Sequence, residues 1–500
     1  MEPLGVSRRI QRTLEIIPGT LVWGTFVCAV IFSLFAPVWV IYFIILFDLY
    51  WLFRVAYFIL FLLIGWRAYH ASARIDWQKR LEQEKLAWPD ILHCIILPMT
   101  KEDVSIVHAT LEALLNTRYP AKKFLVVLTG EERMHDHFQS VAVEISKRYA
   151  NSFGHLLITE HPDGLPDEIA SKGANIHYAG KKAQEWIDRE RVPYDRVIVS
   201  AFDIDTIVHP DYFSCLTHAY LSQENPTRCS YQPVVLYNNN IWSAPSPMRL
   251  AAFSTTFWLL TELARPDRLF TFSSHSMSFA ALVDVGFWQK NIVSEDSRIF
   301  LQCFFRYHGE YRVVPLYVPV SMDTVLAPTV KRSLVNLYKQ QRRWAWGVEH
   351  FPYMVVNFWK DRLIPLRKKI KFLVIQIEGM YTWATAPILI FFLGRLPLVF
   401  APPAVEQTVL AQNLPRILEV LMNISMGGVL IIGFLSFFLL PPQPGAPKRS
   451  RYITMAFQWV LLPITIIVFS ALPALDAQTR LMLGRYLGFA VTEKTRREIS

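Results

Sequence analysis

Two apolar blocks, one near each end of the chain, enclose a long polar segment. Residues 21–66 are almost entirely apolar, and Asp48 and Arg54 are the only fully charged side chains among them. A helix needs about 20 apolar residues to cross a membrane, so this block predicts two spans, at about 20–45 and 48–67. Pro37 lies inside the first predicted span, where we interpret it as a kink rather than a turn.

The second apolar block begins at Phe372 and is divided by prolines, most clearly by the Pro441-Pro442 pair. It predicts three more spans, at about 372–399, 417–440 and 453–474. Between the two blocks no apolar stretch is long enough to cross a membrane. The pattern therefore predicts one polar domain inserted between two N-terminal and three C-terminal membrane helices.

The polar segment alternates between short apolar runs and stretches with helical periodicity. Predicted strands lie at 91–98, 124–128, 156–159 and 196–202, and predicted helices lie at 104–115, 141–149 and 174–188. Asp103 is well placed to cap the first of these helices. Strand–helix–strand units of this length are typical of parallel sheets, so the predicted fold is an α/β domain with a mostly parallel sheet.

The composition supports a membrane protein with a folded polar part. Hydrophobic residues make up 52% of the chain and charged residues only 18%, against about 25% charged residues in a typical soluble domain. The five cysteines include no Cys-x-x-Cys pair, which argues against a disulfide framework and against a zinc site. A net charge of +10 would also suit nucleic acid, but the basic residues flank the spans, so no nucleic-acid partner is expected.

Lysine and arginine are concentrated beside the predicted spans. They cluster at 8–12, 67–80, 362–371 and 448–451, whereas the loop 401–413 has Glu406 as its only charged residue. By the positive-inside rule, the N-terminus, the polar domain and the loop 441–452 are predicted to be cytoplasmic in a multi-pass protein of the cell membrane.

The C-terminal tail does not fit this topology. Five spans place the tail outside the cell, yet it carries Arg480, Arg485, Lys494, Arg496 and Arg497. Two explanations remain open: one span is miscounted, or the tail forms an interfacial helix. The predicted organisation is an N-terminal membrane region (1–70), a polar domain (71–350), an interfacial helix (351–371), a C-terminal membrane region (372–475) and a basic tail (476–500).

Two aspartates, Asp203 and Asp205, follow the predicted strand at 196–202. Ligands of open parallel sheets bind beyond the carboxyl ends of the strands, and two carboxylates there can share Mg²⁺ or Mn²⁺. The alternative is a loop pair that caps the next helix near Pro210 and Asp211. An isolated Asp-x-Asp recurs by chance in many chains, so metal binding is one of two hypotheses at this point.

Two further segments carry candidate chemistry. Ser294-Glu295-Asp296 precedes an apolar run, where a carboxylate is either stabilised by the helix dipole or available as a general base. In the segment Gln340 to Trp344, arginine suits phosphate and tryptophan offers a flat face for stacking on a sugar ring or a base. The alternative for the second segment is an amphipathic helix at the membrane surface.

Taken in this order, the segments resemble the membrane-integrated family 2 glycosyltransferases, which include cellulose, chitin and hyaluronan synthases. Asp203-Ile204-Asp205 resembles the Asp-x-Asp strand end of that family, and Ser294-Glu295-Asp296 resembles its Thr-Glu-Asp motif. Gln340, Arg343 and Trp344 match its Gln-x-x-Arg-Trp motif. The similarity runs from about Ile91 to Gly347, and the flanking spans fit as well.

Two weaker similarities and one departure concern the substrates. The segment Lys172 to Asn175 resembles the donor-binding segment of the family, and Thr271 to Phe279 resembles the loop before its acceptor region. The family's Asp-Asp-Gly after the second strand is absent, because that strand is followed here by Gly130, Glu131 and Glu132. Glu131 is therefore a candidate for the contact to the nucleotide base.

The resemblance implies a GT-A-like cytoplasmic domain that performs an inverting transfer from a nucleotide diphosphate sugar. Asp296 would act as the catalytic base with Glu295 beside it, and Asp205 with Asp203 would hold Mg²⁺ or Mn²⁺. The implied donor-binding residues are Asp203, Lys172, Asn175, Glu131, Arg343 and Gln340, and the implied acceptor-binding residues are Trp344 and His275.

The expected partners are the nucleotide diphosphate sugar, a glycan or lipid-linked acceptor, and the lipid bilayer. Processive polysaccharide synthesis stands beside two alternatives: a non-processive transferase that adds one sugar to a lipid or protein, and an inactive homologue that binds carbohydrate. Asp48, Arg54, Gln376 and Glu378 lie in or between the spans, where they either line a polar channel or pair structurally.

Overall fold

The computed structural model describes residues 5–84, 86–443, 445 and 449–488. The basic residues Lys448, Lys494, Arg496 and Arg497, which entered the topology prediction, lie outside these ranges. The fold of the described residues consists of apolar helices at both ends of the chain and an α/β domain between them.

Five apolar helical segments in the described ranges are long enough to cross a membrane, two before the α/β domain and three after it, as predicted. We number the first four as spans, and we call the last one the C-terminal segment. Their bounds are Arg8–Phe35, Pro37–Ser72, Leu366–Phe391, Val409–Leu439 and, for the C-terminal segment, Arg449–Met482.

The interpretation of Pro37 as a kink is wrong. The first span ends at Phe35, Ala36 has a non-helical conformation (φ −147°), and Pro37 is the first residue of the second span. Proline suits this position because the first residue of a helix has no intrahelical partner for a backbone N–H. Both spans therefore start and end several residues from the predicted limits.

One mixed sheet of eight strands forms the centre of the described part of the α/β domain. The strands are β1 Leu92–Pro98, β2 Phe124–Glu131, β3 His155–His161, β4 Val197–Ala201, β5 Ile207–Val208, β6 Cys229–Leu236, β7 Ser276–Ser278 and β8 Arg312–Ser321. Their order is β3-β2-β1-β4-β7-β6-β8-β5. The pairs β3-β2, β2-β1, β1-β4 and β6-β8 are parallel, whereas β7 and β5 pair antiparallel with their neighbours. The GT-A-like α/β fold is confirmed, with antiparallel strands inside the parallel sheet.

Helices cover the sheet and connect its strands. They are Trp77–Gln83, Val104–Leu115, His135–Tyr149, Lys172–Arg189, Tyr212–Leu221, Ser246–Leu263, Phe279–Asp284, Glu295–Arg306, Val330–Ala345 and His350–Lys360. Asp103 caps the first helix after β1 by accepting a hydrogen bond from the backbone of Ser105 at 2.8 Å. In the region 351–371, the helix ends at Lys360 and the third span begins at Leu366.

Polar side chains of the spans contact one another and the domain. Arg54 Nη2 lies 2.9 Å from Glu378 Oε1, and the Tyr50 hydroxyl donates to the same oxygen at 2.5 Å, which links the second and third spans. Gln376 Nε2 donates to the backbone oxygen of Gly347 at 2.9 Å. These contacts favour structural pairing for these groups.

The second span packs closely against the helix Ser246–Leu263 of the domain. Gly65 permits this approach, because a Cβ atom at this position would lie 2.4 Å from the backbone oxygen of Leu260. Gly24 of the first span has no such neighbour, since a Cβ atom there would meet nothing within 4 Å.

The Gly65→Val variant is expected to lower the thermal unfolding temperature of the detergent-purified protein. The side chain must push the span away from a backbone atom, and overpacking of this kind typically costs about 1–3 kcal/mol. Gly24→Val is the matched control, because it makes the same change in a span at an open position. Equal unfolding temperatures for the two variants would contradict the close docking of the second span.

Candidate active site

Carboxylates from distant parts of the sequence meet at the carboxyl ends of the parallel strands. Asp203 and Asp205 follow β4, and Glu295 and Asp296 begin the helix Glu295–Arg306. Ligands of α/β sheets bind at this edge because the loops there are free to vary around a rigid frame. The candidate site therefore lies at this edge of the sheet.

Lys172 joins two of these carboxylates. Its Nζ lies 2.6 Å from Asp203 Oδ1 and 3.2 Å from each carboxylate oxygen of Asp296. Burial by itself would lower the pKa of Lys172, but the charges of Asp203, Asp296 and Glu295 outweigh burial and raise it. Lys172 is therefore a fixed cation, held at the start of a helix that Ser171 caps.

Asp205 is buried beneath the pocket. Its Oδ2 accepts a hydrogen bond from the backbone N–H of Asp323 at 2.8 Å. Burial, followed by the charges of Asp203, Asp205 and Asp296, raises the pKa of the nearby Tyr237 hydroxyl. The Tyr237 hydroxyl therefore lies near the charges of all three aspartates.

Hydroxyl groups orient the two aspartates that contact Lys172. Ser273 Oγ donates to Asp203 Oδ2 at 3.0 Å, and Thr271 Oγ1 donates to the backbone oxygen of Asp296 at 2.6 Å. His275 Nδ1 lies 3.8 Å from Asp296 Oδ1, and the ring is completely buried. Burial lowers the pKa of His275, so a neutral imidazole stands behind Asp296 rather than on the pocket surface.

Glu295 and Asp296 differ sharply in their surroundings. Glu295 is buried, and this burial, together with the charge of Asp296, raises its pKa to about 8. Asp296 instead reaches Lys172 across the pocket. The raised pKa favours the protonated form of Glu295 at neutral pH, and neighbouring acids with such different environments can take different roles.

The helix Val330–Ala345 brings the Gln-x-x-Arg-Trp residues to the same pocket. The charge of Arg343 acts on Glu295 and lowers its pKa, opposing the effect of burial. The Trp344 ring lies 5.9 Å from the Tyr237 ring, and the Gln340 side chain is buried. A cation and an aromatic pair therefore border the carboxylates on this side.

Glu131 and Asn175 lie farther along the same edge of the sheet. Glu131 ends β2, forms an ion pair with Arg133, and lines a cavity whose other walls include Glu132, His161, Asp163, Glu168 and Ser171. Asn175 is buried, and its Oδ1 accepts a hydrogen bond from Thr129 Oγ1 at 2.6 Å. In this structure Asn175 fixes the helix Lys172–Arg189 to β2, while Glu131 faces a cavity.

Comparison with known families identifies the family of this chain. The model described as "Glycosyl transferase family group 2" matches residues 198–472, which is more than half of the chain. The chain belongs to this glycosyltransferase family. The matched residues include Asp203, Asp205, Asp296 and Trp344 and begin after Lys172. No curated protein matches the chain.

Several solved glycosyltransferase structures are similar at low identity. The mannosyltransferase PcManGT from Pyrobaculum calidifontis, in complex with GDP-Man and Mn²⁺, is 14% identical with a TM-score of 0.45, covering 89% of this chain and 100% of that one. Residues 1–349 of TarS from S. aureus, in complex with UDP-GlcNAc, are 11% identical with a TM-score of 0.37, covering 82% and 97%.

The oxygen donors of the pocket suit a hard cation that is shared with a substrate. Within the described ranges, no three or more His, Cys, Asp or Glu residues are grouped closely enough to hold a metal ion. The carboxylates of Asp203 and Asp296 nevertheless converge on a positive charge, which is the Lys172 ammonium. Mg²⁺ and Mn²⁺ prefer oxygen ligands, and Mg²⁺ often completes its shell with water and substrate phosphates. The carboxylates present are thus of the ligand type that these ions use, and in this structure Asp203 and Asp296 are paired with Lys172.

Sequence reasoning missed Tyr237, Ser273 and Asp323 as members of the site of this glycosyltransferase. Tyr237 directly follows β6, so the rule that ligands bind at strand ends could have found it. Ser273 lies in the segment Thr271 to Phe279, which was singled out without assigning a role to this residue. Asp323 contributes a backbone N–H, and a backbone group leaves no signal in the side-chain pattern.

The Glu295→Gln variant is expected to gain thermal stability relative to the wild type as the pH rises from 5 to 8. Folded Glu295 keeps its proton up to about pH 8, whereas the unfolded chain releases it near the ordinary value of 4.5. Between these values the unfolded state binds fewer protons, so wild-type stability falls as the pH rises and then levels off. Glutamine imitates the protonated acid at every pH.

Unfolding temperatures measured across this pH range test the expectation. Glu185→Gln is the matched control, because Glu185 is exposed and pairs with Lys182 on the domain surface. Parallel pH curves for the wild type and Glu295→Gln would show that Glu295 ionises normally in the folded protein.

Proposed function

We propose that this glycosyltransferase transfers a sugar, with inversion, from a nucleotide diphosphate sugar to a glycan or lipid-linked acceptor at the cytoplasmic face of the membrane. The observation that carries the proposal is the contact of Lys172 with both Asp203 and Asp296. This contact brings the Asp-x-Asp segment close to Asp296. The Asp-x-Asp segment suits binding of the donor diphosphate, and Asp296 suits the role of catalytic base. The two halves of a transfer reaction then share one pocket.

Asp296 is the base of the proposed reaction. Its carboxylate takes the proton of an acceptor hydroxyl while the hydroxyl oxygen forms a bond to the anomeric carbon and the sugar–phosphate bond breaks. The nucleoside diphosphate leaves with the bonding electron pair, and the proton remains on Asp296 until solvent removes it. The different positions of the two acids support this assignment, because Glu295 is buried whereas Asp296 faces Lys172 in the pocket.

The donor diphosphate is proposed to bind between the start of the helix Lys172–Arg189 and the helix Val330–Ala345. Lys172 and Arg343 supply positive charge, and Gln340 lies on the same helix as Arg343. Asp203 and Asp205 would hold Mg²⁺ or Mn²⁺, which when bound neutralises the charge of the leaving diphosphate. The cavity beside Glu131 would receive the nucleotide base, and Asn175 would fix the neighbouring helix Lys172–Arg189 to β2 through Thr129.

The acceptor is proposed to approach along the aromatic side of the pocket. Trp344 and Tyr237 offer flat apolar faces with polar edges, which suit a sugar ring. His275 is buried behind Asp296, with Nδ1 at 3.0 Å from the backbone oxygen of Phe272, and would support this side of the pocket rather than touch the acceptor. The aromatic wall fits the end of a growing glycan and also a single lipid-linked sugar.

Nucleoside diphosphate release from a panel of UDP- and GDP-sugars tests the proposal. The purified full chain, in detergent with Mn²⁺ and with short glycans or polyprenyl phosphates as acceptors, is expected to release product from at least one donor. Absence of release from every pair of donor and acceptor would contradict the proposal. Gel filtration of the products then separates a polymer from a single-sugar product.

A further inference from the structure

The C-terminal segment contacts the α/β domain along its whole length. Near its start, the Tyr452 ring lies 5.4 Å from the Trp242 ring, and farther along Gln458 Oε1 accepts from Arg249 Nε at 2.7 Å. Phe469 packs against a buried domain cluster that includes Met248. The contacts therefore continue through the middle of the segment.

The last turns of the segment contact the helix Val330–Ala345, which carries Arg343 and Trp344. Arg342 Nη1 donates to Asp476 Oδ2 at 2.8 Å, and the Tyr338 hydroxyl reaches the backbone oxygen of Leu472 at 3.5 Å. Tyr452 and Asp476 are 24 residues apart, a distance of about 36 Å along a helix. A helix that crossed the roughly 30 Å hydrocarbon core would carry one of these residues away from a domain on a single side.

The segment meets membrane helices near their domain-facing ends at both of its own ends. Between these ends it also contacts the interior of the first and third spans, where Trp23 Nε1 donates to Thr479 Oγ1 at 2.9 Å and Trp383 Nε1 donates to Ser470 Oγ at 2.8 Å. Trp459 packs against Gly433, close to the end of the fourth span that leads back to the domain. Arg12 of the first span donates to the backbone oxygens of Leu481 and Met482 at 3.1 and 2.9 Å. Both ends of the segment therefore lie on the side where the first span starts.

One face of the segment remains uncovered and apolar. Ile453, Phe457, Val460 and Ile464 have exposures of 58%, 71%, 76% and 60%. Their spacing of four, three and four residues places them on one stripe of a helix. Arg449 and Arg451 stand at the start of this stripe, and Arg480 lies near the end of the segment.

We propose that the C-terminal segment lies within the membrane leaflet next to the catalytic domain and does not cross the bilayer. Its stripe contacts the lipid acyl chains, as in an amphipathic interfacial helix, and its other face contacts the domain and the first and third spans. The protein then has four crossing spans, and the tail after Met482 returns to the side of the domain. This arrangement accounts for the basic tail, since lysine and arginine concentrate on the cytoplasmic side.

The segment also attaches the pocket to the membrane. Asp476 accepts hydrogen bonds from both Arg342 and Arg480, so the helix that carries Arg343 is tied to a lipid-bound element. The acyl chains of the leaflet cover the exposed apolar stripe. The tail lies on the same side of the membrane as the domain whether or not the proposed transfer reaction is correct.

Cysteine labelling in sealed membranes tests the side of the tail. In a Cys28→Ser background, which removes the exposed native cysteine, single cysteines are placed at Ser500 in the tail, at Glu185 on the domain and at Glu406 in the opposite loop. Ser500→Cys and Glu185→Cys are expected to react together with a membrane-impermeant maleimide, and Glu406→Cys is expected to react from the other side. Reaction of Ser500→Cys together with Glu406→Cys would overturn the proposal.

Depth measurement tests the orientation of the segment independently. Spin labels are attached to single cysteines at Ile453, Phe457, Val460 and Ile464 of the full chain in lipid nanodiscs, and their accessibility to oxygen and to a polar nickel complex is compared. Similar, shallow depths are expected for the four positions. A crossing helix would instead change depth by about 16 Å over these eleven residues, and that gradient would overturn the proposal.

Discussion

The Asp296→Asn variant is expected to lose sugar transfer while it still binds the donor. Asparagine keeps the shape of the side chain but cannot take up a proton at neutral pH, and loss of a general base typically costs about 10²–10⁴-fold in rate. Donor binding should persist because Asp203 still contacts Lys172, which also retains its charge. Turnover and donor affinity, measured on the same preparation, separate the two effects.

The matched control for this variant is Asp284→Asn. Asp284 pairs with Arg306 near the domain surface and lies outside the pocket, so the same chemical change there should leave turnover intact. Wild-type turnover in Asp296→Asn would show that another group accepts the proton. Loss of donor affinity in the same variant would instead assign Asp296 to donor binding.

The Asp205→Asn variant is expected to lose the part of donor binding that depends on a divalent ion. Asparagine can still accept the hydrogen bond from Asp323, so the buried loop keeps its anchor while one negative charge is removed. Mutation of a residue that only supports a metal ligand typically lowers metal affinity by about 10–100-fold. Asp205 is proposed as a direct ligand, so a loss of at least this size is expected. Calorimetric titration of the donor with Mn²⁺ measures the effect.

Removal of the ion provides the complementary comparison. Chelator should weaken donor binding in the wild type to the level of Asp205→Asn and should leave the variant unchanged. The unfolding temperature of the variant, compared with that of Asp284→Asn, checks that the buried loop remains folded. Wild-type donor affinity in chelator would mean that Lys172 and Arg343 hold the diphosphate without a metal ion.

The elements that the sequence predicted best are those whose signal is local. The helix Val104–Leu115 begins and ends as predicted, because its apolar spacing and its Asp103 cap both lie within the segment. The helix Lys172–Arg189 begins two residues earlier than predicted, and the helix His135–Tyr149 begins six residues earlier. The polar first turns of the latter, rich in His, Asp and Gln, carry no apolar periodicity.

The elements that the sequence missed depend on distant partners. β7 has three residues and forms only because it lies between β4 and β6, so its own pattern could not predict a strand. Tyr237 reaches the site because β7 lies between β4 and β6 in the sheet and so brings the end of β6 near the end of β4. This strand order cannot be read from any single segment of the sequence. Pairing between strands is decided by the whole sheet, and short edge or insert strands have little intrinsic preference.

The sequence by itself determined the division into apolar helices and one α/β domain, the positions of Asp203, Asp205 and Asp296, and the resemblance that links them. These features follow from hydropathy, periodicity and strand ends, which are properties of neighbouring residues. Only the tertiary structure decided that Lys172 joins Asp203 and Asp296, that Glu295 is buried, and that the C-terminal segment packs along the surface of the domain. Hydropathy measures how apolar a helix is, but contact with lipid on one side and protein on the other depends on how the chain packs.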